Sequence, residues 1–289
     1  MDIGKVGVLG CGLMGSGIAH VSLQAGHAVA VVEVDPALLE KGVERVRFSF
    51  ERLVRKKRMS EEERDAVLAR LAPTVELADL ADCDLVIEAV TEDLDLKKRL
   101  FQRLGAICPR HTIFASNTSS FPVAEVGEAS GRPERMVGLH FFNPPELMRL
   151  VEVIRTSKTL DEVFETAERF AISVGKTPIR AKDLPGFVVN RLLVPTMLEA
   201  IRMVERGEAT IEDVDTGMTL GCGHPMGPFT LLDYVGLDTT LAVVEGWHQR
   251  FPRQPLFDPP ELLRKMVQEG RLGRKSGRGF YEWEGDRRK

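Results

Sequence analysis

The chain has 289 residues, 43% of them apolar and 28% charged, with a formal net charge of −4. This length leaves room for two domains, and the composition excludes a disordered chain, a collagen and a disulfide-knitted mini-protein. The mild acidic excess gives no reason to expect nucleic acid or an anionic membrane as partner, and four scattered cysteines (Cys11, Cys83, Cys108, Cys222) suggest reduced thiols in a cytoplasmic protein rather than a metal site or disulfide frame.

The chain opens as strand, glycine turn, helix and strand. Residues 5–9 form a short apolar run, and Gly10-Cys11-Gly12-Leu13-Met14-Gly15 follows directly. A helix continues through Leu23, Gly26 ends it, and residues 28–32 make a second buried strand that stops at Glu33. Strand-helix-strand with short links predicts a parallel sheet. The 27 uncharged residues from Val6 to Val32 are long enough to span a bilayer, but two histidines, Gln24 and six glycines argue against a membrane segment. No signal-peptide pattern is evident either.

Further on, residues 37–57 read as a helix, and Ser60-Glu61-Glu62-Glu63 as a capping box opening another. Strands are expected at 84–90, 112–115, 136–141 and 150–154, with helices at 96–104 and 161–174. After Lys182-Asp183-Leu184-Pro185-Gly186 strand patterning nearly vanishes. The expected architecture is α/β: a Rossmann-like parallel-sheet domain over residues 1–183, then an all-helical domain over 184–289.

A lone G-x-G-x-x-G is weak evidence, but here it follows a strand and opens a helix. Gly10 permits the turn, Gly12 lets a pyrophosphate approach, Gly15 lets helix and strand pack, and the helix N-terminus favours the phosphates. Glu33 sits where an acid would hold the adenosine ribose, with Asp35 as its rival. A carboxylate there, with no arginine nearby in sequence, favours NAD over NADP.

Glu152, inside Leu150-Val151-Glu152-Val153-Ile154, is costly to bury unless paired, and His140 at the end of the preceding strand is the natural partner. Such a pair makes a general base; the alternative is an edge strand with Glu152 in water and His140 merely packed. Asn117 and Ser119 follow a strand's C-terminal end, where ligands of open α/β sheets collect, although turns and caps favour the same residue types. Asn190 starts the helical domain, placed either to reach an interdomain cleft or to make a structural bond. Between Arg45 and Arg58 stand seven basic residues and one acid, either a solvated face or a surface for a phosphorylated substrate. The chain has only three asparagines, Asn117, Asn143 and Asn190, so each is a candidate for a specific role.

Together these residues resemble the 3-hydroxyacyl-CoA dehydrogenase family, of the L-3-hydroxybutyryl-CoA type. The resemblance rests on Gly10 to Gly17, Ser116-Asn117-Thr118-Ser119-Ser120, His140-Phe141-Phe142-Asn143-Pro144, Leu150-Val151-Glu152-Val153 and Asp183 to Arg191. Pro225-Met226-Gly227-Pro228-Phe229 and Gly236-Leu237-Asp238 continue it, and all three asparagines fall inside these motifs. It implies NAD-dependent oxidation of an (S)-3-hydroxyacyl-CoA, with His140 as base, Glu152 orienting it, and Ser119 and Asn190 on the substrate's reacting oxygens. It further implies cofactor contacts from the turn that includes Leu13 and Met14, and from Glu92, Lys97 and Asn117. Ser49 and Lys56 are implied to touch coenzyme A, and the helical domain to form a homodimer. Two departures stand out: the family usually has aspartate at Glu33, and many members carry a second proline at Glu146. Two other expectations compete, a sugar-acid dehydrogenase acting on a substrate such as L-gulonate, and a silent structural or NAD-sensing relative.

Overall fold

The computed structural model describes residues 2–289, in two compact units that meet in sequence between Phe187 and Val188. The first begins with β1 (Lys5–Leu9), α1 (Leu13–Gln24), β2 (Ala28–Val32), α2 (Pro36–Arg55), α3 (Glu61–Leu68) and β3 (Leu71–Thr74). It continues with β4 (Leu85–Glu88), α4 (Leu94–Ile107), β5 (Ile113–Ser116), α5 (Val123–Ala129), β6 (Met136–Phe141), β7 (Leu150–Arg155), α6 (Asp161–Ser173) and β8 (Thr177–Lys182). One eight-stranded sheet joins them in the order β3-β2-β1-β4-β5-β6-β7-β8.

The central strands read as unbroken valine-rich runs because both faces of the sheet are covered. Val6, Val8, Val29 and Val31 pack with Ile18 of α1 and Phe50 of α2. Leu9, Ala30, Val32 and Phe114 pack on the opposite side with Phe101 and Leu104 of α4. Full burial of one such aliphatic side chain stabilises by about 1.5–3 kcal/mol. The charge-free stretch beginning at Val6 is thus β1, α1 and β2, and among the described residues no helix is long and apolar enough to cross a membrane.

Three features differ from the sequence expectation. The sheet is mixed, because β6 and β7 run antiparallel through the connection 142–149. Both outermost strands, β3 and β8, were not anticipated. Each contains a proline, Pro73 or Pro178, a residue tolerated in sheets mainly at edges, where it also discourages pairing with another chain. The helical region also ends in a small hairpin.

The second unit contains α7 (Val189–Glu205), α8 (Ile211–Thr216), α9 (Pro228–Val235), α10 (Leu237–Arg250) and α11 (Glu261–Gln268). Its hairpin pairs β9 (Trp283–Glu284) with β10 (Arg287–Arg288), strands too short to leave a periodic signal. Phe229, Leu232, Trp247 and Phe257 fill its core. Buried Asp233 ties the C-terminal segment to α9 by accepting hydrogen bonds from the backbone N–H groups of Phe280 and Tyr281 and from the Trp283 indole.

Candidate active site

The strand order reverses between β1 and β4, which opens a crevice at the C-terminal ends of the strands. At β1 the chain turns through Gly10, whose φ of +94° favours glycine. A Cβ on Gly15 would lie 1.8 Å from the Gly10 carbonyl oxygen, so helix and turn approach as closely as backbone allows. A Cβ on Gly12, by contrast, would meet no atom within 4 Å. Gly12 begins α1 with no side-chain cap, and no acidic residue occupies the first turn. An open, uncapped helix N-terminus of this kind fits a pyrophosphate. Leu13, exposed, and Met14, half-buried against the core, form its first turn.

Both oxygens of Glu33 are engaged, accepting from the Cys11 N–H at 3.0 Å and the Val34 N–H at 2.9 Å. The carboxylate is therefore fixed beside the glycine turn. Asp35 is drawn elsewhere, as the N-cap of α2, accepting from Ala37 and Leu38. The structure thus separates the two acids that the sequence left as rivals. Burial, assisted by Glu33, pushes the Cys11 thiol up to about 11, so it stays protonated at neutral pH.

Across the crevice, β4 and β5 end in a charged network. Glu88 is fully buried and accepts from Val90 N–H (2.8 Å), Ser116 Oγ (2.6 Å) and Lys97 Nζ (2.6 Å). Lys97, only 1% exposed, also reaches Glu92 at 3.0 Å. The other Glu92 oxygen accepts from the Thr118 hydroxyl and from the N–H groups of Ser119 and Ser120. Burying an ammonium is tolerable here because two carboxylates share it. The turn after β5 is also held at its far end, where Asp183 accepts from Val123 and Ala124 at the start of α5. Burial pushes the Asp183 carboxyl up. Asn117 faces the neighbouring strand, its carbonyl oxygen accepting the Phe141 N–H at 2.8 Å.

His140 and Glu152 are direct partners in the antiparallel register of β6 and β7, which puts both side chains on one face of the sheet. His140 Nδ1 lies 2.6 Å from Glu152 Oε2. Glu152 is fully buried and His140 is 6% exposed. The alternative of an edge strand with a solvated Glu152 fails, because β8 lies outside β7. With Nδ1 committed to the carboxylate, Nε2 is the nitrogen available for proton transfer. The His140 ring packs on Phe142 and Phe187. Phe187 has φ +50°, a left-handed conformation that is strained for a bulky residue and is typically held by its surroundings at functional sites.

The geometry therefore assembles three groups: the glycine turn with Glu33, the network of Glu92, Lys97 and Ser119, and the His140–Glu152 pair. Ser49 lies half-buried on α2, and Lys56 is exposed at its C-terminal cap. Asn190, half-buried, lies on the first turn of α7 in the second unit. Sequence reading missed Glu88, Thr118 and Phe187. Only Glu88 left a trace, a carboxylate closing the apolar run Leu85-Val86-Ile87. Among the described residues no group of three or more His, Cys, Asp or Glu is placed to hold a metal ion.

Two family models together match most of the chain. Residues 5–184 match the family model of the 3-hydroxyacyl-CoA dehydrogenase NAD binding domain, and residues 186–283 that of the C-terminal domain. The chain belongs to the 3-hydroxyacyl-CoA dehydrogenase family. It is 48% identical over 283 residues to the 3-hydroxybutyryl-CoA dehydrogenase of Mycobacterium tuberculosis, covering 97% of this chain and 99% of that one. It is 46% identical over 287 residues to the mitochondrial hydroxyacyl-coenzyme A dehydrogenase of Rattus norvegicus, covering 97% and 91%. Among solved structures, (S)-3-hydroxybutyryl-CoA dehydrogenase from Ralstonia eutropha superposes with a TM-score of 0.94 at 42% identity, covering 98% of this chain and all of that one.

Proposed function

We propose that this family member oxidises (S)-3-hydroxyacyl-CoA substrates to 3-ketoacyl-CoA with NAD, using His140 as general base. The observation that carries this reading is the buried 2.6 Å pair of His140 Nδ1 and Glu152 Oε2. The glycine turn and Glu33 would hold the pyrophosphate and adenosine ribose, and Glu92, Lys97 and Asn117 the nicotinamide half. NAD, when bound, supplies the hydride acceptor.

Each remaining role falls to the chain's own side chains. His140 Nε2 takes the proton of the 3-hydroxyl. Glu152 accepts the Nδ1–H, fixes the tautomer and stabilises the imidazolium that forms. Ser119, held through its backbone by Glu92, and Asn190 donate to the substrate's oxygens. Ser49 and the Lys56 ammonium engage the coenzyme A moiety.

The second unit would also form a homodimer, supported by exposed apolar side chains such as Leu192 and Leu220. Four free cysteines, three of them buried, favour a reducing compartment such as the cytoplasm. The decisive experiment follows NADH absorbance with acetoacetyl-CoA, with L-gulonate and NAD as the comparison. Rapid NADH loss with acetoacetyl-CoA alone supports the reading. Turnover of gulonate alone, or of neither, overturns it.

A further inference from the structure

The cofactor reading rests partly on Glu33, which repels a 2′-phosphate. The fold places a second charged side chain at the same turn. Gly42 of α2 packs against the glycine turn so closely that a Cβ there would lie 2.2 Å from Cys11 Sγ and 2.3 Å from the Cys11 carbonyl oxygen. One turn further along the helix, Arg45 Nη1 reaches that carbonyl oxygen at 3.5 Å. Glu33 meanwhile accepts the N–H of the same residue. The backbone of Cys11 is therefore bracketed by a carboxylate at its N–H and a guanidinium at its carbonyl. Both charges act on the Cys11 thiol, in opposite directions.

Arg45 is exposed and long enough to leave the weak contact with Cys11. Lys41 stands one turn before it, and both line an open groove of about 620 Å³ on α2 whose other lining residues are Glu44, Arg47, Phe48 and Glu51, so three cations face two carboxylates there. In a Rossmann-like site the acid after the second strand meets the adenosine ribose, and an arginine nearby accommodates a 2′-phosphate. Such an arginine is usually sought close to the acid in sequence. Here it comes from twelve positions further on, brought in by the packing of Gly42.

We propose that Arg45 is a specificity residue at the adenosine end of the cofactor site. It is a ready anchor for a 2′-phosphate, and Glu33 withholds that anchor from NADP. The inference rests on the NAD reading above. It implies that selectivity is set by two opposed charges, so that removing the acid alone exposes a cation already in place. Guanidinium binds phosphate through paired, charge-assisted hydrogen bonds, which gives Arg45 the matching chemistry.

The test measures NADH and NADPH dissociation constants by fluorescence titration of the full chain. Four proteins are compared: wild type, Glu33→Ser, Arg45→Ala and the double variant. Glu33→Ser is expected to gain NADPH affinity on the order of ten-fold, the worth of one charge-assisted bond, and the added Arg45→Ala to remove that gain. An equal NADPH gain with and without Arg45, or no gain in folded Glu33→Ser, overturns the proposal. Should Glu33→Ser fail to fold, the near-isosteric Glu33→Gln decides, measured with and without Arg45→Ala: an NADPH gain that disappears without Arg45 supports the anchor, and no gain, or one that persists without Arg45, overturns it. A wild-type chain that binds neither nucleotide refutes the NAD reading itself, and this inference with it.

Discussion

Replacing Glu152 by glutamine removes a charge while nearly preserving shape. The glutamine carbonyl can still accept the His140 Nδ1–H, so tautomer and ring orientation survive. What disappears is the ionic attraction for the imidazolium. With Nδ1 and Oε2 only 2.6 Å apart and both side chains buried, the pair is shielded from solvent. A hydrogen bond to a charged group is worth about 1.5–3 kcal/mol, which corresponds to roughly a 10- to 100-fold fall in kcat. The assay is steady-state reduction of acetoacetyl-CoA followed by NADH absorbance, with NADH affinity and thermal unfolding as controls. His140→Gln removes the proton carrier itself and should cost about 10²–10⁴-fold. Glu152→Gln turnover within about two-fold of wild type, in a folded protein that binds NADH, would refute the electrostatic role of the carboxylate.

Other perturbations probe the rest of the molecule. Lys97→Met leaves Glu88 fully buried without its cation and should destabilise the chain by about 3–5 kcal/mol in guanidinium chloride melts; a loss below about 1 kcal/mol would show that the ion pair is dispensable. Burial lowers His20, stacked on Phe50, from 6.5 to about 4. The unfolded chain therefore binds more protons than the folded one between those values, so stability is complete above pH 6.5 and declines as the pH falls to about 4. The loss is about 3 kcal/mol, seen in urea midpoints against pH, and His20→Gln should flatten the slope. Lys56→Ala should raise the KM for acetoacetyl-CoA several-fold with little change in kcat; an unchanged KM would make that end of α2 an ordinary solvated surface.

The parts of the fold legible in sequence were those with one dominant cause. Valine runs flanking a glycine turn have few structural solutions, so β1, α1 and β2 stood out. The capping box was visible because its two bonds are local, and Ser60 and Glu63 make both of them. The cost of burying a carboxylate made His140 the candidate partner of Glu152, but only the placement of β8 outside β7 excludes an edge strand with a solvated Glu152. The edge strands were hidden because each is exposed or half-buried along nearly its whole length, carries no buried apolar run and contains a proline. The Glu88–Lys97 contact was hidden for another reason. A glutamate closing a strand and a lysine on an amphipathic helix each look like solvated residues, and only the packing of α4 on the sheet removes them from water. The choice between Glu33 and Asp35 likewise depended on which one the first turn of α2 would claim as its cap.

Because His140 and Glu152 face one another across paired strands, their alignment is inherited from backbone hydrogen bonding rather than from the segment that joins them. The connection 142–149 touches the couple through Phe142, whose ring packs on His140, and it is tied down where Lys176 donates to the Pro145 and Met148 carbonyls. Changes in this segment should therefore disturb the seating of the imidazole before they disturb its distance to the carboxylate, because that distance is written into the strand register.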